Sequence, residues 1–211
     1  MPVLSFPPVS QADSDGLLAV GGDLDVDSLL CAYRSGIFPW PVDQQTLLWF
    51  APPERAVLFV EEFHIPRRLH RAVRSGSYES RFNTSFREVI TLCAEVKNRG
   101  SQQGTWITSD VIEAYCRLHE AGYCHSFETY FNGELVGGLY GVQIGRFFAA
   151  ESSFYRKTDA SKIAMCSLAD YLRSQRIPWF DCQVITPFSK SFGARNISRN
   201  EFMRLLESVL L

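Results

Sequence analysis

The sequence predicts an α+β fold in which a mixed sheet with flanking helices follows a small N-terminal lobe. With 211 residues, 46% of them hydrophobic, the chain can bury a full-sized core. Residues 1–53 are rich in glycine, proline and tryptophan and contain one strong helix pattern. From residue 54 the helix and strand patterns alternate, which predicts a larger second domain over residues 54–211.

The helix of the lobe is predicted over residues 26–35. Asp25 or Asp27 can cap its first turn, and Gly36 ends it. The next segment, GIFPWPVDQQTLLWFAPPERAVLF, contains two tryptophans and several prolines. It predicts a rigid aromatic loop that leads into a strand near residues 55–60.

Two further helices are predicted before the main strands. Ser85 and Glu88 form a capping-box pattern, which predicts a helix that continues to about residue 97. Asp110 begins the next helix, which ends before Gly122.

Three successive strands, a helix and another strand complete the predicted sheet. HSFETYF and ELVGGLYGV flank Asn132-Gly133, a favoured tight hairpin turn, and RFFAAESSF adds a third strand. A helix over 159–174 precedes the short strand WFDCQV at 179–184, and Ser198 begins the last helix. This order of elements is that of acyltransferases with the acetyltransferase-like (GNAT-type) fold, an analogy of fold alone.

Composition and charge favour a soluble cytoplasmic protein, which we expect to be a monomer without membrane contact. The first residues lack a signal-peptide pattern, and no apolar run reaches the ~18 residues that a membrane span requires. The six cysteines show neither a CxxC motif nor nearby histidine partners, so we expect reduced thiols and no metal site. The formal net charge of −2 argues against a strongly basic nucleic-acid binder, although it does not exclude a local patch.

One local basic patch is visible in HIPRRLHRAVRSG. On a helix begun by Pro66, the spacing would place Arg67, Arg71 and Arg74 on one face, while Leu69 and Val73 face the core. The stretch contains no acidic residue. It predicts either an ordinary solvated helix face or a phosphate-binding surface.

The strand WFDCQV places an acid and an amide on the same side. Because side chains alternate along a strand, Asp181 and Gln183 project one way and Phe180, Cys182 and Val184 the other. The pair is either a set of structural hydrogen-bond partners at a sheet end or the lining of a site.

A second carboxylate, Glu151, stands in the apolar strand FFAAESSF. Burying it unpaired would be costly, so we expect a cation nearby: Arg156, Lys162 or a cationic ligand. Two carboxylates and an amide in one cleft would suit amide formation, in which an amine attacks an activated ester. Because both reactants are already reactive, the site has only to align them, accept a proton from the amine and stabilise the oxyanion that forms on the ester carbonyl.

The turn before the helix at 159–174 argues against coenzyme A as the acyl donor. In the acetyltransferase-like fold the donor phosphates rest on a glycine-rich turn, but FYRKTDASKIA contains no glycine. We therefore expect no cofactor. Two alternatives to amide formation from an activated ester stay open: a coenzyme A-dependent N-acyltransferase, and an RNA- or peptide-binding module without catalysis.

Five blocks, in order over roughly residues 16–195, resemble the leucyl/phenylalanyl-tRNA–protein transferase family. They are GLLAVGGDLDVDSLLCAYRSGIFPW, GTWITSDVIEAYCRLHEAGYCHSFE, GELVGGLYGV, AAESSFYRKTDASKIA and DCQV followed by SFGA. The resemblance implies transfer of leucine or phenylalanine, with methionine as a third candidate, from aminoacyl-tRNA to the α-amine of proteins with N-terminal Arg or Lys. The product would carry an N-terminal degradation signal.

The resemblance also implies a role for each matched position. Asp181 would orient or deprotonate the amine, Gln183 would hold that relay or the ester carbonyl, and Glu151 would bind the cationic acceptor. Hydrophobic residues would form the aminoacyl pocket, unless they are simply core: Leu139, Phe148, Leu168, Leu172 and Phe180. Aromatic residues would stack on the 3′-adenosine: Trp40, Trp106, Tyr33 and Tyr115. The patch of Arg67, Arg71 and Arg74 would contact tRNA phosphates.

The chain departs from the family pattern directly after DCQV. Relatives usually continue with a polar stretch that contains histidine, whereas this chain has Ile185, Thr186, Pro187 and Phe188.

Overall fold

The chain folds around two sheets, one in the lobe and one in the larger part. The computed structural model describes residues 2–43, 46–74, 76–96 and 105–210. The lobe sheet has the order β1-β3-β2, with strands β1 (Leu17–Val20), β2 (Phe38–Pro41) and β3 (Leu47–Phe50). The larger sheet has the order β10-β4-β9-β8-β7-β6-β5. Its strands are β4 (Glu54–Phe59), β5 (Tyr78–Phe82), β6 (Cys124–Phe131), β7 (Glu134–Ile144), β8 (Phe147–Tyr155), β9 (Trp179–Gln183) and β10 (Arg195–Ser198).

Helices pack on both faces of the larger sheet, which confirms the predicted α+β class. They are α1 (Val26–Arg34), α2 (Leu69–Arg74), α3 (Phe86–Ala94), α4 (Ser109–Glu120), α5 (Ala160–Ser174), α6 (Pro187–Lys190) and α7 (Arg199–Leu210). Helices α2 and α5 cover one face, where their residues pack with Phe148 and Phe180. Helices α1, α3, α4 and α7 cover the other, where theirs pack with Phe147 and Trp179. The alternation of neighbouring residues between the two clusters follows the two-residue period of a strand.

The strand pair β8–β9 is the feature that shapes the site. The other neighbouring pairs in the larger sheet are antiparallel, whereas these two strands run parallel and pair at one position, Ala149 opposite Asp181. Beyond that position the strands separate. Glu151 and Gln183 each lie two residues further along, so they face each other across the opening.

Helix α3 begins directly after Ser85, as predicted, but the capping groups of α3 and α4 differ from the prediction. The capping box at Ser85 does not form: its hydroxyl bonds the Tyr130 hydroxyl, and Glu128 Oε1 accepts the backbone N–H groups of Thr84 and Ser85 instead. Helix α4 begins at Ser109 with Thr108 as its cap, rather than at Asp110. Helix α3 ends at Ala94, and its predicted end at residue 97 lies outside the described residues.

Several other boundaries agree with the sequence. Helix α1 ends immediately before Ser35 and Gly36, and the hairpin turn has positive φ at Asn132 (53°) and Gly133 (82°), as a tight primed turn requires. In β7, a Cβ on Gly137 would lie 2.5 Å from the Cβ of Ala160. The glycine therefore lets the start of α5 pack directly on the sheet.

The basic stretch differs from its prediction. Helix α2 begins at Leu69, so Arg67 lies in the preceding turn and not on the helix. Leu69 is buried as expected, but Val73 is 42% exposed. The prediction for Val73 is wrong because a helix of only six residues presents a short buried stripe to α5. Arg67, Arg71 and Arg74 are all exposed.

The proposed division at residues 53 and 54 stays a prediction. The lobe sheet lies within residues 17–50, yet one hydrophobic cluster contains Trp49 of the lobe together with Val57 and Phe202. All six cysteines are free thiols. In the described ranges, no helix combines the length and the apolar character needed to cross a membrane.

Candidate active site

A cleft of about 1010 Å³ opens where β8 and β9 separate. Trp40 of the lobe and Trp106 line it together with Glu151 and Gln183 of the separating strands. Its wall after β9 is a loop with an exposed Val184 and the short helix α6. The cleft therefore combines polar groups at the strand ends with aromatic and apolar walls.

Glu151 lies at the centre of a hydrogen-bond network inside this cleft. Its Oε1 accepts from the Tyr33 hydroxyl at 2.7 Å and from the Gln183 carboxamide Nε2 at 2.9 Å. The Tyr33 hydroxyl is in turn 2.6 Å from that of Tyr115. Helix α1 carries Tyr33 to Glu151, and helix α4 carries Tyr115 to Tyr33. The structure thus brings together groups from four distant segments of the chain.

Burial raises the pKa of Glu151 to about 7. Hydrogen bonds from Tyr33 and Gln183 oppose this rise by stabilising the charged form, while the nearby negative charge of Asp181 adds to it. A carboxyl group with such a pKa can both take up and release a proton near neutral pH.

The cations expected beside Glu151 have other partners. Arg156 lies 3.6 Å from Glu95, and Lys162 lies 2.7 Å from Asp159. Among the described residues, no lysine or arginine forms an ion pair with Glu151. Neither of the two side chains predicted as partners of Glu151 pairs with it.

Asp181 does not line the cleft, which corrects the prediction that it shares a lining with Gln183. Its carboxylate is fully buried and accepts from Arg55 Nε at 2.9 Å and from Arg55 Nη2 at 2.6 Å. Its Oδ1 also accepts the backbone N–H of Gln183 at 2.7 Å. The ion pair with Arg55 keeps the Asp181 carboxylate in the core, where it also binds the backbone of Gln183 at the end of β9. The side chain of Gln183 lines the cleft.

Gln183 has an unusual backbone conformation for a residue with a long side chain. Its φ is +58°, in the left-handed region, where most residues with a Cβ are strained. The bond from its N–H to Asp181 closes a local turn that supports this conformation. The backbone geometry and the bond to Glu151 together fix the position of the carboxamide.

The four aromatic residues divide into two pairs. Trp40 and Trp106 stack on each other, with ring centroids 5.6 Å apart and planes at 21°, and both line the cleft. Tyr33 and Tyr115 are 1% and 0% exposed. A nucleobase cannot reach these two rings in this arrangement, so we correct their assignment from adenosine stacking to support of Glu151.

The five residues predicted for the aminoacyl pocket belong to one hydrophobic cluster. They are Leu139, Phe148, Leu168, Leu172 and Phe180. Leu139 lines the cleft beside Met165, whereas the other four are fully buried beneath it. The structure thus places one predicted pocket residue at the cleft surface and the others in the core behind it.

Arg55 is the residue of this network that sequence reasoning missed. It lies in the apolar strand ERAVLF, where a cation needs a buried partner, just as Asp181 needs one in WFDCQV. Those two isolated charges in buried strands were a usable signal. Strand pairing between β4 and β9, which sequence patterns do not give, decides that they meet.

Comparisons with known proteins agree with the sequence resemblance. The family model described as leucyl/phenylalanyl-tRNA protein transferase matches residues 57–207, and that of the family's N-terminal domain matches residues 22–53. A leucyl/phenylalanyl-tRNA–protein transferase of Chromobacterium violaceum is 49% identical over 204 residues, which cover 96% of this chain and 87% of that protein. One of Flavobacterium johnsoniae is 45% identical and covers 97% of this chain and 96% of its own length.

A solved structure supports the fold. That of FemX has a TM-score of 0.50 and 11% sequence identity, and the match covers 86% of this chain and 71% of that one. At this identity the likeness concerns the fold alone. The identity with the curated relatives and the two matched models are far more specific, and on that basis the chain belongs to the leucyl/phenylalanyl-tRNA–protein transferase family.

Proposed function

We propose that this aminoacyltransferase moves leucine or phenylalanine from aminoacyl-tRNA to the α-amine of proteins with N-terminal Arg or Lys. Methionine is a third candidate donor. The product would carry an N-terminal degradation signal. Family membership supports aminoacyl transfer as the reaction class. The acceptor preference and the fate of the product are our extension of it.

One observation carries the proposal: Glu151 and Gln183 bridge the separated ends of β8 and β9 inside a large cleft. The bridge presents a carboxylate and a carboxamide where an amine and an ester can meet. The carboxylate has no described cationic side chain as an ion-pair partner, so it can bind the α-ammonium of an acceptor. An α-amine has a pKa of roughly 7.7–8.0, close enough to that of Glu151 for proton transfer between them.

The chemistry needs no covalent enzyme intermediate. Glu151 takes a proton from the α-ammonium, and the neutral nitrogen attacks the ester carbonyl carbon. A C–N bond forms, and a tetrahedral oxyanion appears, which the Gln183 carboxamide can stabilise. The C–O bond to the ribose then breaks. As this bond breaks, the protonated Glu151 gives its proton to the departing ribose oxygen. The regenerated carboxylate takes the second proton from the nitrogen and releases it to solvent, so the transfer ends with an amide, a free tRNA hydroxyl and Glu151 in its starting form.

Asp181 acts through Gln183 in this proposal. Its carboxylate has no exposed surface and is already bonded to Arg55 and to the Gln183 backbone. We therefore assign it the orienting role and not direct deprotonation of the amine.

The walls of the cleft suit the two ends of an aminoacyl-adenosine. The half-buried indole of Trp40, which stacks on the buried Trp106, offers a stacking surface for an unpaired base, and such stacking contributes about 1–3 kcal/mol per base. The donor side chain would enter beside Leu139 and Met165 toward the buried cluster that holds Phe148, Leu168, Leu172 and Phe180. An apolar pocket of this kind distinguishes side chains by size and shape.

The proposal is tested by transfer of radiolabelled leucine from charged tRNA. We expect label in a substrate protein with N-terminal Arg and background label in the same protein with N-terminal Ala. Equal labelling of both would contradict the acceptor preference. Tight binding of charged tRNA without any transfer would leave only a binding module.

The same structure argues against a coenzyme A donor. The turn before α5 contains no glycine, so donor phosphates cannot approach its backbone as closely as in a glycine-rich turn. The Lys162 ammonium in the first turn of α5 is already paired with Asp159. Saturable micromolar binding of acetyl-coenzyme A would overturn this conclusion.

Contacts to tRNA phosphates are proposed for Arg67, Arg71 and Arg74. We expect Arg71→Ala to weaken tRNA binding and to lower the slope of log K against log salt by about 0.7–0.9, the amount for one phosphate contact. Filter binding at several salt concentrations measures both. Arg204→Ala is the matched control, because this exposed arginine of α7 lies on the opposite sheet face. An unchanged slope for Arg71→Ala would remove α2 from the tRNA interface.

A further inference from the structure

Arg55 is buried in the core directly beneath the proposed reaction centre. Its side chain is 2% exposed, and its guanidinium donates through Nε and Nη2 to Asp181. Through Nη1 it donates to the carbonyl oxygen of Gly36 at 3.0 Å. The rings of Phe38 and Phe202 enclose it, with centroids 4.6 and 4.4 Å from its Cζ. Three separate parts of the chain therefore hold this cation: the lobe through Gly36 and Phe38, β9 through Asp181, and α7 through Phe202.

These contacts fix the geometry of Gln183 in two steps. The fork of Arg55 orients the Asp181 carboxylate, and the Oδ1 atom of that carboxylate accepts the Gln183 N–H. Gln183 keeps a left-handed backbone at φ +58°, which requires such a compensating bond. Without the guanidinium, the buried carboxylate would lose the two donors that fix its orientation. A reoriented Asp181 would accept the Gln183 N–H poorly.

We propose that Arg55 is a positioning residue for aminoacyl transfer, which acts through Asp181 to hold the Gln183 carboxamide against Glu151. The inference rests on the proposed function of that site. Arg55 touches neither donor nor acceptor. Arg55 also contacts the lobe at Gly36 and Phe38. These contacts fix the position of β2, the strand that carries Trp40, relative to the reaction centre.

The test is the single-turnover rate constant for transfer from pre-bound leucyl-tRNA. This rate constant does not depend on the fraction of enzyme that is folded, so a loss of stability alone leaves it unchanged. For Arg55→Met we expect a fall of about 100-fold, the usual effect of displacing a reacting group by ~1 Å. For Arg55→Lys, which keeps the charge but loses the fork, we expect a fall of about tenfold.

A double-mutant cycle separates positioning through Asp181 from any other role of Arg55. If the two residues act as a unit, Arg55→Met combined with Asp181→Asn should lose about 100-fold, no more than either single variant. Losses that multiply to about 10⁴-fold would overturn the proposal, because they would mean independent roles. A wild-type rate constant for Arg55→Lys would also overturn it, and this variant keeps the buried charge paired if Arg55→Met fails to fold.

Arg199→Met is the matched control for loss of a structural arginine. Its guanidinium bonds the carbonyl oxygens of Pro52 and Val9 and lies outside the Asp181 network. We expect a lower melting temperature and a rate constant within about twofold of wild type. The wild-type protein is assayed in the same series. Absence of transfer by wild type would count against the proposed function, whereas active wild type with an active Arg55→Met would count against Arg55 alone.

Discussion

Replacing Glu151 by glutamine is expected to lower kcat for aminoacyl transfer by about a thousandfold, within the range of general acid–base catalysis. The substitution preserves the size of the side chain and leaves an oxygen that can accept from Tyr33. It removes the group that receives the proton of the acceptor amine. Steady-state transfer from saturating leucyl-tRNA to a substrate with N-terminal Arg measures the effect.

Glu95→Gln is the matched control for this loss. Glu95 also lines the cleft, but it is exposed and lies beside Arg156. If the loss in Glu151→Gln came only from removing a negative charge from the cleft, both variants would be equally impaired. We expect kcat of Glu95→Gln within about twofold of wild type.

The raised pKa of Glu151 predicts opposite effects of pH on activity and stability. Activity needs the ionised form, so kcat/KM for the acceptor should rise through about pH 7, and this limb should vanish in Glu151→Gln. Stability behaves inversely, because a group whose pKa is raised in the folded state stabilises it only while protonated. This contribution to the free energy of unfolding is complete when the pH is below 4.5, the ordinary pKa of a glutamate. It is lost as the pH rises through about 7, the pKa of Glu151 in the folded protein.

Chemical denaturation checks the stability half of this prediction. At pH 8 we expect Glu151→Gln to unfold at a higher urea concentration than wild type, and at pH 4 we expect the difference to shrink. A wild-type protein whose stability rose steadily between pH 5 and pH 8 relative to the variant would contradict the assignment.

Replacing Gln183 by alanine is expected to lower kcat by about 100-fold, with little change in tRNA affinity. Loss of one preorganised donor near a developing oxyanion costs roughly 10²–10³ in kcat. The variant also leaves Glu151 Oε1 with the Tyr33 hydroxyl as its remaining hydrogen-bond donor among the described residues, so the carboxylate would be less well placed. Single-turnover transfer and filter binding of charged tRNA give the two quantities.

Gln183→Asn tests whether the transfer rate depends on the reach of the carboxamide or on the left-handed backbone at this position. Asparagine tolerates a left-handed φ better than most residues, but its side chain is one methylene shorter and cannot reach Glu151 in the same way. We expect its rate to be as low as that of the alanine variant. A near-normal rate for Gln183→Asn would show that the backbone turn, and not the reach of the amide, is what matters.

The sequence alone predicts those secondary-structure elements whose signals come from neighbouring residues. The hairpin at Asn132-Gly133 depends on two residues that accept positive φ, and helix α1 ends before Gly36, whose φ is +75°. The resemblance to the transferase family, carried by short blocks in a fixed order, predicted the family that the comparisons support. Glu151, Asp181 and Gln183 are polar residues in apolar strands, which marks them as unusual from the sequence alone.

Only the tertiary structure decided what those polar residues do, because their partners are distant in the chain. Arg55 lies 126 residues before Asp181, and Tyr33 lies 118 before Glu151. Hydrophobic periodicity says which face a side chain occupies, but not which strand lies next to it. The pairing of β4 with β9 buried Asp181 against Arg55, and the separation of β8 from β9 left Glu151 and Gln183 facing an open cleft.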